Sequence, residues 1–393
     1  MDSLPQQACR GADAAPVSMP MRRALVLSGG VALGAFEAGA YAALEEAGAP
    51  LPDWFVGASI GAVNAAMVAG NPPGRRAERL RRFWESVARD PTPATTFLLG
   101  PPPAAGAWRK AHNEAAALQA LLLGQPGLFR PRLAVGEGIG AAPSLYDLEP
   151  MRERLPELLD FDRLNNGETR LSVVATDVVS GERVVFDTAG GGGGAWIGPE
   201  HIAASCALLP LFAPVEIGGR LLGDGGMASN TPVDLVLDEP GPAGGDVLCF
   251  VVELFALRGA RPGTLGASAA RATDLAFGGQ TRRILEGRER EHRLRAALGR
   301  LAERLPPGLR DDPEVASILA EAEAGGARSA TVLCLGYRAA PDEAGLGKVF
   351  DFSPATLSDR WEAGARAMRE ALRRSGAAPR PGARGLAVHE VEA

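Results

Sequence analysis

Cysteine, histidine and lysine are all scarce in this 393-residue chain, and each scarcity narrows what it can do. The 4 cysteines, Cys9, Cys206, Cys249 and Cys334, have neither C-x-x-C spacing nor histidine neighbours. That argues against a disulfide framework and against a zinc site. Of the histidines, His389 lies in a polar tail and His292 in the charged run Arg288–Arg293, which reads as a solvated helix face. His112 and His201 stand at the starts of helical segments. Each reads as a surface or capping histidine, so a Ser-His-Asp triad has no evident base. Lysine occurs only as Lys110 and Lys348, although lysine and arginine together number 41. With so much alanine and glycine, this reads as the bias of a GC-rich bacterial genome rather than an arginine patch. A net charge of −6 argues against a nucleic-acid partner.

An uninterrupted apolar run of membrane length is also missing. Met21-Arg22-Arg23 followed by Ala24–Leu44 imitates a signal peptide or a short span, with Ala38-Gly39-Ala40 as a cleavage-like site. Glu37 breaks the run, and its glycines follow a loop pattern. It reads as a core strand and helix, and the composition as that of a cytoplasmic globular protein.

Glycine, by contrast, is abundant, with 50 residues, and three glycine elements carry the chemistry. The first is Gly57-Ala58-Ser59-Ile60-Gly61. Trp54-Phe55-Val56 before it reads as a strand, and Ala62–Gly70 after it as a helix of small residues. Strand, sharp turn, helix is the setting that makes G-x-S-x-G a nucleophile elbow, with the serine at a helix N-terminus that favours developing negative charge. The second is Asp224-Gly225-Gly226, at the end of a hairpin turning at Gly218-Gly219. Alone it is an ordinary turn signal. The third is Ser28-Gly29-Gly30-Val31, between the apolar strand Ala24–Leu27 and the helix Ala35–Ala47. Backbone N–H groups at such a junction make an anion-binding nest, and an oxyanion hole is its economical use. No Walker A lysine follows, and the full G-x-G-x-x-G is absent.

In this order the three elements resemble the patatin-like phospholipase family, whose pattern is a glycine-rich oxyanion loop, a G-x-S-x-G serine and a D-G-G/A aspartate. The intervening Ala203–Val215 and Asn230-x-Pro232 are similar to the family's segments around the aspartate. Further segments, including Arg79–Trp84, Glu253-Leu254-Phe255 and Asp351-Phe352-Ser353 with Trp361, resemble a bacterial branch with a C-terminal extension. The resemblance covers roughly residues 22–375. It implies a three-layer α/β/α sandwich with a central mixed sheet, plus an α/β extension. It also implies Ser59 as nucleophile, Asp224 as its direct base and Gly29, Gly30 and Val31 as oxyanion donors. Gly57, Gly61, Gly225 and Gly226 would be the framing motif glycines. Val31 departs from the family's third glycine, and a β-branched residue resists positive φ there. Leu209 departs from a usual proline.

The implied activity is hydrolysis of lipid carboxylic esters, of the phospholipase A or esterase kind, through an acyl-enzyme and without metal or organic cofactor. The partner is then a lipid ester, with contact to a membrane surface or lipid granule left open. Two alternatives stand beside it: an intracellular depolymerase of polyhydroxyalkanoate-type polyesters, and a catalytically weak lipid- or partner-binding protein.

The chain divides on this reading into a disordered segment 1–20, a catalytic domain 22–240, an extension 241–375 packed on the core and a flexible tail 376–393. An amphipathic helix over 75–89 buries Leu80, Phe83, Trp84 and Val87, and Pro91–Trp108 reads as a loop. Ala115–Leu123 reads as an apolar helix, and residues 171–176 and 183–187 as a hairpin. Gly190–Gly194 reads as a flexible loop. Asp246–Glu253 is a buried central strand. One or two long helices follow over Leu265–Leu305, then a strand at Thr331–Leu335 and a closing helix at Ser358–Arg373.

Overall fold

Successive residues of the first strand are buried on opposite faces, Leu25 and Leu27 in one apolar cluster and Ala24 and Val26 in another. A strand covered on both sides needs helices on both sides, and this alternation generates the architecture. The structure, a computed structural model, describes residues 21–132, 144–189, 196–239, 246–324, 329–339, 343, 345, 347–377 and 385–391.

The strands are β1 (Arg22–Leu27), β2 (Trp54–Ala58), β3 (Arg130–Pro131), β4 (Tyr146–Asp147), β5 (Arg170–Asp177), β6 (Arg183–Asp187), β7 (Val215–Ile217), β8 (Arg220–Asp224), β9 (Val247–Glu253), β10 (Ala330–Gly336) and β11 (Leu386–Val391). The helices of the first half are α1 (Gly34–Glu46), α2 (Ile60–Ala69), α3 (Arg76–Ser86), α4 (Pro93–Leu99), α5 (Ala107–Leu123), α6 (Glu149–Leu158) and α7 (Phe161–Asn166). Then come α8 (Pro199–Ser205), α9 (Gly225–Ser229), α10 (Val233–Asp238), α11 (Leu265–Ala302), α12 (Pro307–Arg310), α13 (Pro313–Ala324) and α14 (Pro354–Ala377). The main sheet runs β11-β10-β9-β1-β2-β5-β8-β7, with β6 also paired to β5. From β11 to β5 the strands are parallel, while β6 and β8 pair antiparallel with β5, so the sheet is mixed.

One face is covered by α1, α2, α3 and α14 and the other by α10 and α11, giving three α/β/α layers. Where α1 crosses α14, a Cβ on Gly39 would sit 2.0 Å from the Trp361 carbonyl oxygen, and one on Gly364 1.9 Å from that of Phe36. The two helix backbones meet through these glycines. Glu37, which interrupts the apolar stretch, is fully buried. Its Oε2 accepts from Asn64 Nδ2 at 2.9 Å, while Trp84 Nε1 donates to Asn64 Oδ1 at 3.1 Å, so α1, α2 and α3 share one polar knot. Burial pushes the Glu37 carboxyl well above the usual carboxylate range.

Several expectations need correction. Residues 386–391, read as part of a flexible tail, form β11, paired in register with β10. His389 is therefore on a strand. The loop expected over Pro91–Trp108 contains α4. His112 and His292, read as surface or capping histidines, are buried. His292 lies on α11, which continues unbroken through the charged run. On its other side β1 is continued directly by β9, β10 and β11. The amphipathic α3, the β5–β6 hairpin and the Gly218-Gly219 turn (φ 61° and 76°) are as read. Residues 1–20 and the glycine run at 190–194 lie outside the described residues.

Candidate active site

Ser59 alone makes the turn from β2, ending at Ala58, into α2, starting at Ile60, at φ 55° and ψ −127°. An L-residue held at positive φ is strained by about 1–2 kcal/mol. The turn closes because its neighbours lack side chains. A Cβ on Gly57 would lie 2.5 Å from the Ala62 nitrogen, and one on Gly61 2.4 Å from the Leu27 carbonyl oxygen. Strain is held in place by Ser205 at the end of α8. Its Oγ accepts the Ser59 N–H at 2.9 Å and donates to the Val174 carbonyl at 2.6 Å.

Asp224 closes β8 opposite Ala175 of β5, while β5 pairs with β2 at Ala58↔Val174. The antiparallel return of β8 thus brings the aspartate to the strand ends from which Ser59 emerges. Gly225 sits so close to β5 that a Cβ there would lie 2.1 Å from the Val174 carbonyl oxygen. Asp224 Oδ1 accepts the Gly226 N–H at 2.7 Å, capping α9. The Ser59 hydroxyl lies within hydrogen-bonding reach of the same carboxylate. Burial pushes Asp224 up to about 6, against the lowering pull of Ser59 and the Gly226 N–H. A buried carboxylate of this basicity is a better proton acceptor than one in water.

The glycine loop after β1 lies beside this pair, because β1 and β2 are parallel neighbours with Leu27 opposite Gly57. Its three expected donors are not equivalent. The Gly29 N–H is taken up by Asn230, through Oδ1 at 3.2 Å and the backbone carbonyl at 3.3 Å. Val31 adopts φ 51° despite its branched side chain. Val31 and Ser59 are the only non-glycine residues with positive φ among those described. Among the described residues, left-handed strain is therefore gathered at the two motifs.

The histidines stand elsewhere. The Thr92 hydroxyl pairs with His112 Nδ1 at 3.1 Å, and His201 Nδ1 accepts the Gly198 N–H at 3.0 Å. Ser205 and Asn230 hydrogen-bond the backbone of the two motif turns, a part that motif reading left unassigned, although both lie inside segments that resemble the family's. Their task is to accept or donate across the fold, and no local pattern announces that. The thiol of Cys206, beside Ser59, is pushed up by burial and stays neutral. Among the described residues no group of His, Cys, Asp and Glu is arranged to hold a metal ion. A cavity of about 1110 Å³ lies at the carboxyl ends of β9 and β10 beneath α11 and is not lined by Ser59 or Asp224.

Residues 25–237 match the patatin-like phospholipase family over more than half of the chain. The chain belongs to that family. A second match, described as patatin phospholipase, spans residues 275–383 of this patatin-like chain. No curated protein matches it. Among solved structures it is similar to VipD from Legionella pneumophila, at 17% identity and a TM-score of 0.38, covering 91% of this chain and 67% of that one. It is also similar to ExoU in the ExoU–SpcU complex of the Pseudomonas aeruginosa type III secretion system, at 16% identity and a TM-score of 0.30. That alignment covers 89% of this chain and 53% of the other, so the chain spans about half the length of that relative. Membership in the patatin-like family supports lipid hydrolase activity.

Proposed function

We propose that this patatin-like chain is a serine lipid acyl hydrolase that cleaves carboxylic esters of phospholipid or acylglycerol type through a Ser59–Asp224 dyad. The observation that carries the reading is the strained serine at φ 55° with its hydroxyl beside a buried aspartate raised to about 6. Ser59 Oγ attacks the ester carbonyl carbon as Asp224 takes the hydroxyl proton. The carbonyl oxygen becomes an oxyanion facing the N–H groups of Gly30 and Val31, with Gly29 committed to Asn230. Collapse breaks the carbon–oxygen bond of the leaving alcohol, which receives the proton from Asp224. Water then attacks the acyl-enzyme as Asp224 accepts its proton; the bond from the acyl carbon to Ser59 Oγ breaks, Oγ takes that proton back from Asp224, and a fatty acid leaves.

The proposal extends to contact with a lipid surface. Helix α4 exposes Phe97, Leu98 and Leu99, at 89%, 76% and 80%, and α5 exposes Leu118, Leu122 and Leu123. Apolar side chains of this size on a short surface helix suit insertion among acyl chains.

The test is labelling with an alkyl fluorophosphonate, read by peptide mass spectrometry, on wild type and Asp224→Asn. Label on Ser59 that largely disappears in the variant supports the dyad. A well-folded wild type that takes no label sinks it.

A further inference from the structure

The aspartate loop and the oxyanion loop are tied together by Asn230, and Asn230 is in turn held by a side chain from outside the catalytic segment. Asn230 is buried between Gly29 and Gly226 so closely that a Cβ on either glycine would lie 2.6 Å from its Oδ1. Its Oδ1 accepts the Gly29 N–H at 3.2 Å, and its Nδ2 donates to the Gly29 carbonyl at 3.3 Å. The backbone N–H of Asn230 donates to Gln280 Oε1 at 2.8 Å. Gln280 Nε2 donates to the Gly226 carbonyl at 3.3 Å. Gly226 is the residue whose N–H holds Asp224 Oδ1.

We propose that Gln280, on the long helix α11, is a positioning residue that sets the spacing between the oxyanion loop and Asp224 by clamping Asn230 and Gly226 together. The proposal rests on the Ser59–Asp224 reading and deepens it. One amide side chain answers two backbone groups of the short α9, the acceptor carbonyl of Gly226 inside it and the donor N–H of Asn230 at its C-cap. An amide matches both at once; an acid, an amine or an apolar side chain cannot. Helix α11 is brought into reach at Gly278, where a Cβ would lie 2.4 Å from the Phe255 carbonyl oxygen. The close approach is therefore built into the helix two residues before the glutamine. Gln280 lies outside residues 25–237 and inside the second match, 275–383, so the clamp makes the C-terminal part a component of the site. A small displacement of the reacting groups costs up to about a hundredfold in rate, so loosening the clamp acts on the rate constant.

The test compares wild type with Gln280→Met, which keeps length and helix propensity but neither hydrogen bond, and Gln280→Glu, which keeps the acceptor for Asn230. On a soluble short-chain ester, Gln280→Met is expected to lower kcat on the order of tenfold or more, with KM within about twofold and the thermal midpoint little changed. Gln280→Glu, assayed well above the Asp224 titration, is expected to retain more kcat than Gln280→Met. A double-mutant cycle with Asn230→Ala is expected to be strongly non-additive, because the two residues act in series. Hydrogen exchange supplies a readout independent of turnover: the Gly29 amide loses protection in Gln280→Met. Unchanged kcat with unchanged Gly29 protection overturns the proposal, as do additive losses in the cycle. A wild type without fluorophosphonate label sinks the dyad instead, and the exchange result then still decides whether Gln280 holds the loops.

Discussion

Ser205 Oγ accepts the backbone N–H of Ser59 at 2.9 Å, so the strained residue of the elbow is held by a hydroxyl 146 positions later in the chain. Ser205 is fully buried. In Ser205→Ala the Ser59 N–H and the Val174 carbonyl both lose this partner, and unsatisfied buried groups of this kind cost about 1–3 kcal/mol each. The expected result is a thermal or urea midpoint lowered accordingly, with a fall in kcat larger than the fraction unfolded explains. Equal kcat per folded molecule would show that the hydroxyl serves stability alone.

Asp224 is the strongest test of pH dependence. The reaction needs its carboxylate ionised, so kcat/KM is expected to fall with an acidic limb near pH 6, where the buried group takes up its proton. The sign for stability is opposite. A carboxyl whose folded pKa is raised contributes stability fully at low pH and loses it as pH rises through the folded value. At pH 8 the buried charge is thus a liability, and Asp224→Asn is expected to be more stable there by about 2–3 kcal/mol while kcat collapses. The gain should vanish below pH 4. Denaturant melts at the two pH values give the answer, and a variant less stable than wild type at pH 8 contradicts it.

Val31 carries left-handed strain at φ 51°. Val31→Gly removes the steric cost of about 1–2 kcal/mol but adds chain entropy to the unfolded state, so stability should change by under about 1 kcal/mol. The fluorophosphonate labelling rate should stay within about threefold, because the N–H is retained. Val31→Pro locks φ near −65° and removes the N–H, and it should lose on the order of a hundredfold in labelling. Equal labelling by the proline variant would remove Val31 from the oxyanion hole.

Gly39→Ala or Gly364→Ala places a methyl about 2 Å from the backbone of the opposite helix, which neither helix can yield without separating. Each variant is expected to lose more than about 2 kcal/mol in urea unfolding. Retained stability would mean that α1 and α14 can slide apart at no cost.

Phe97→Glu and Leu98→Glu change side chains that are exposed on α4 and leave the core untouched. Hydrolysis of a soluble ester should be unaffected, while hydrolysis of phospholipid in vesicles and co-sedimentation with them should both drop. Equal loss on both substrates would place the effect in folding rather than in lipid contact.

What could be read without coordinates was local. Ala24–Leu27 and Asp246–Glu253 announced buried strands because a strand covered on both faces has no polar side to show. Gly57–Gly61 announced an elbow, and the Gly218-Gly219 turn announced the hairpin that carries Asp224, since steric demands within a few residues dictate residue type. Arg288–Arg293 misled because charge was taken for exposure, whereas His292 faces inward between charged neighbours. Residues 386–391, Leu-Ala-Val-His-Glu-Val, misled because so short an apolar run after a glycine- and proline-rich stretch does not announce a strand until its partner β10 is known.

The sequence by itself determined the strand–turn–helix units, the serine and aspartate motifs and the family they belong to, because each depends on backbone sterics and side-chain period over a short span. Only the tertiary structure decided that Gly29 is spoken for by Asn230, that Ser205 anchors Ser59 and that Gln280 of α11 reaches the aspartate loop. Those are hydrogen bonds between groups 50 to 201 positions apart. A hydrogen bond needs partners within about 3 Å, and that distance is set by how sheet order and helix crossing bring remote segments together, not by any pattern along the chain.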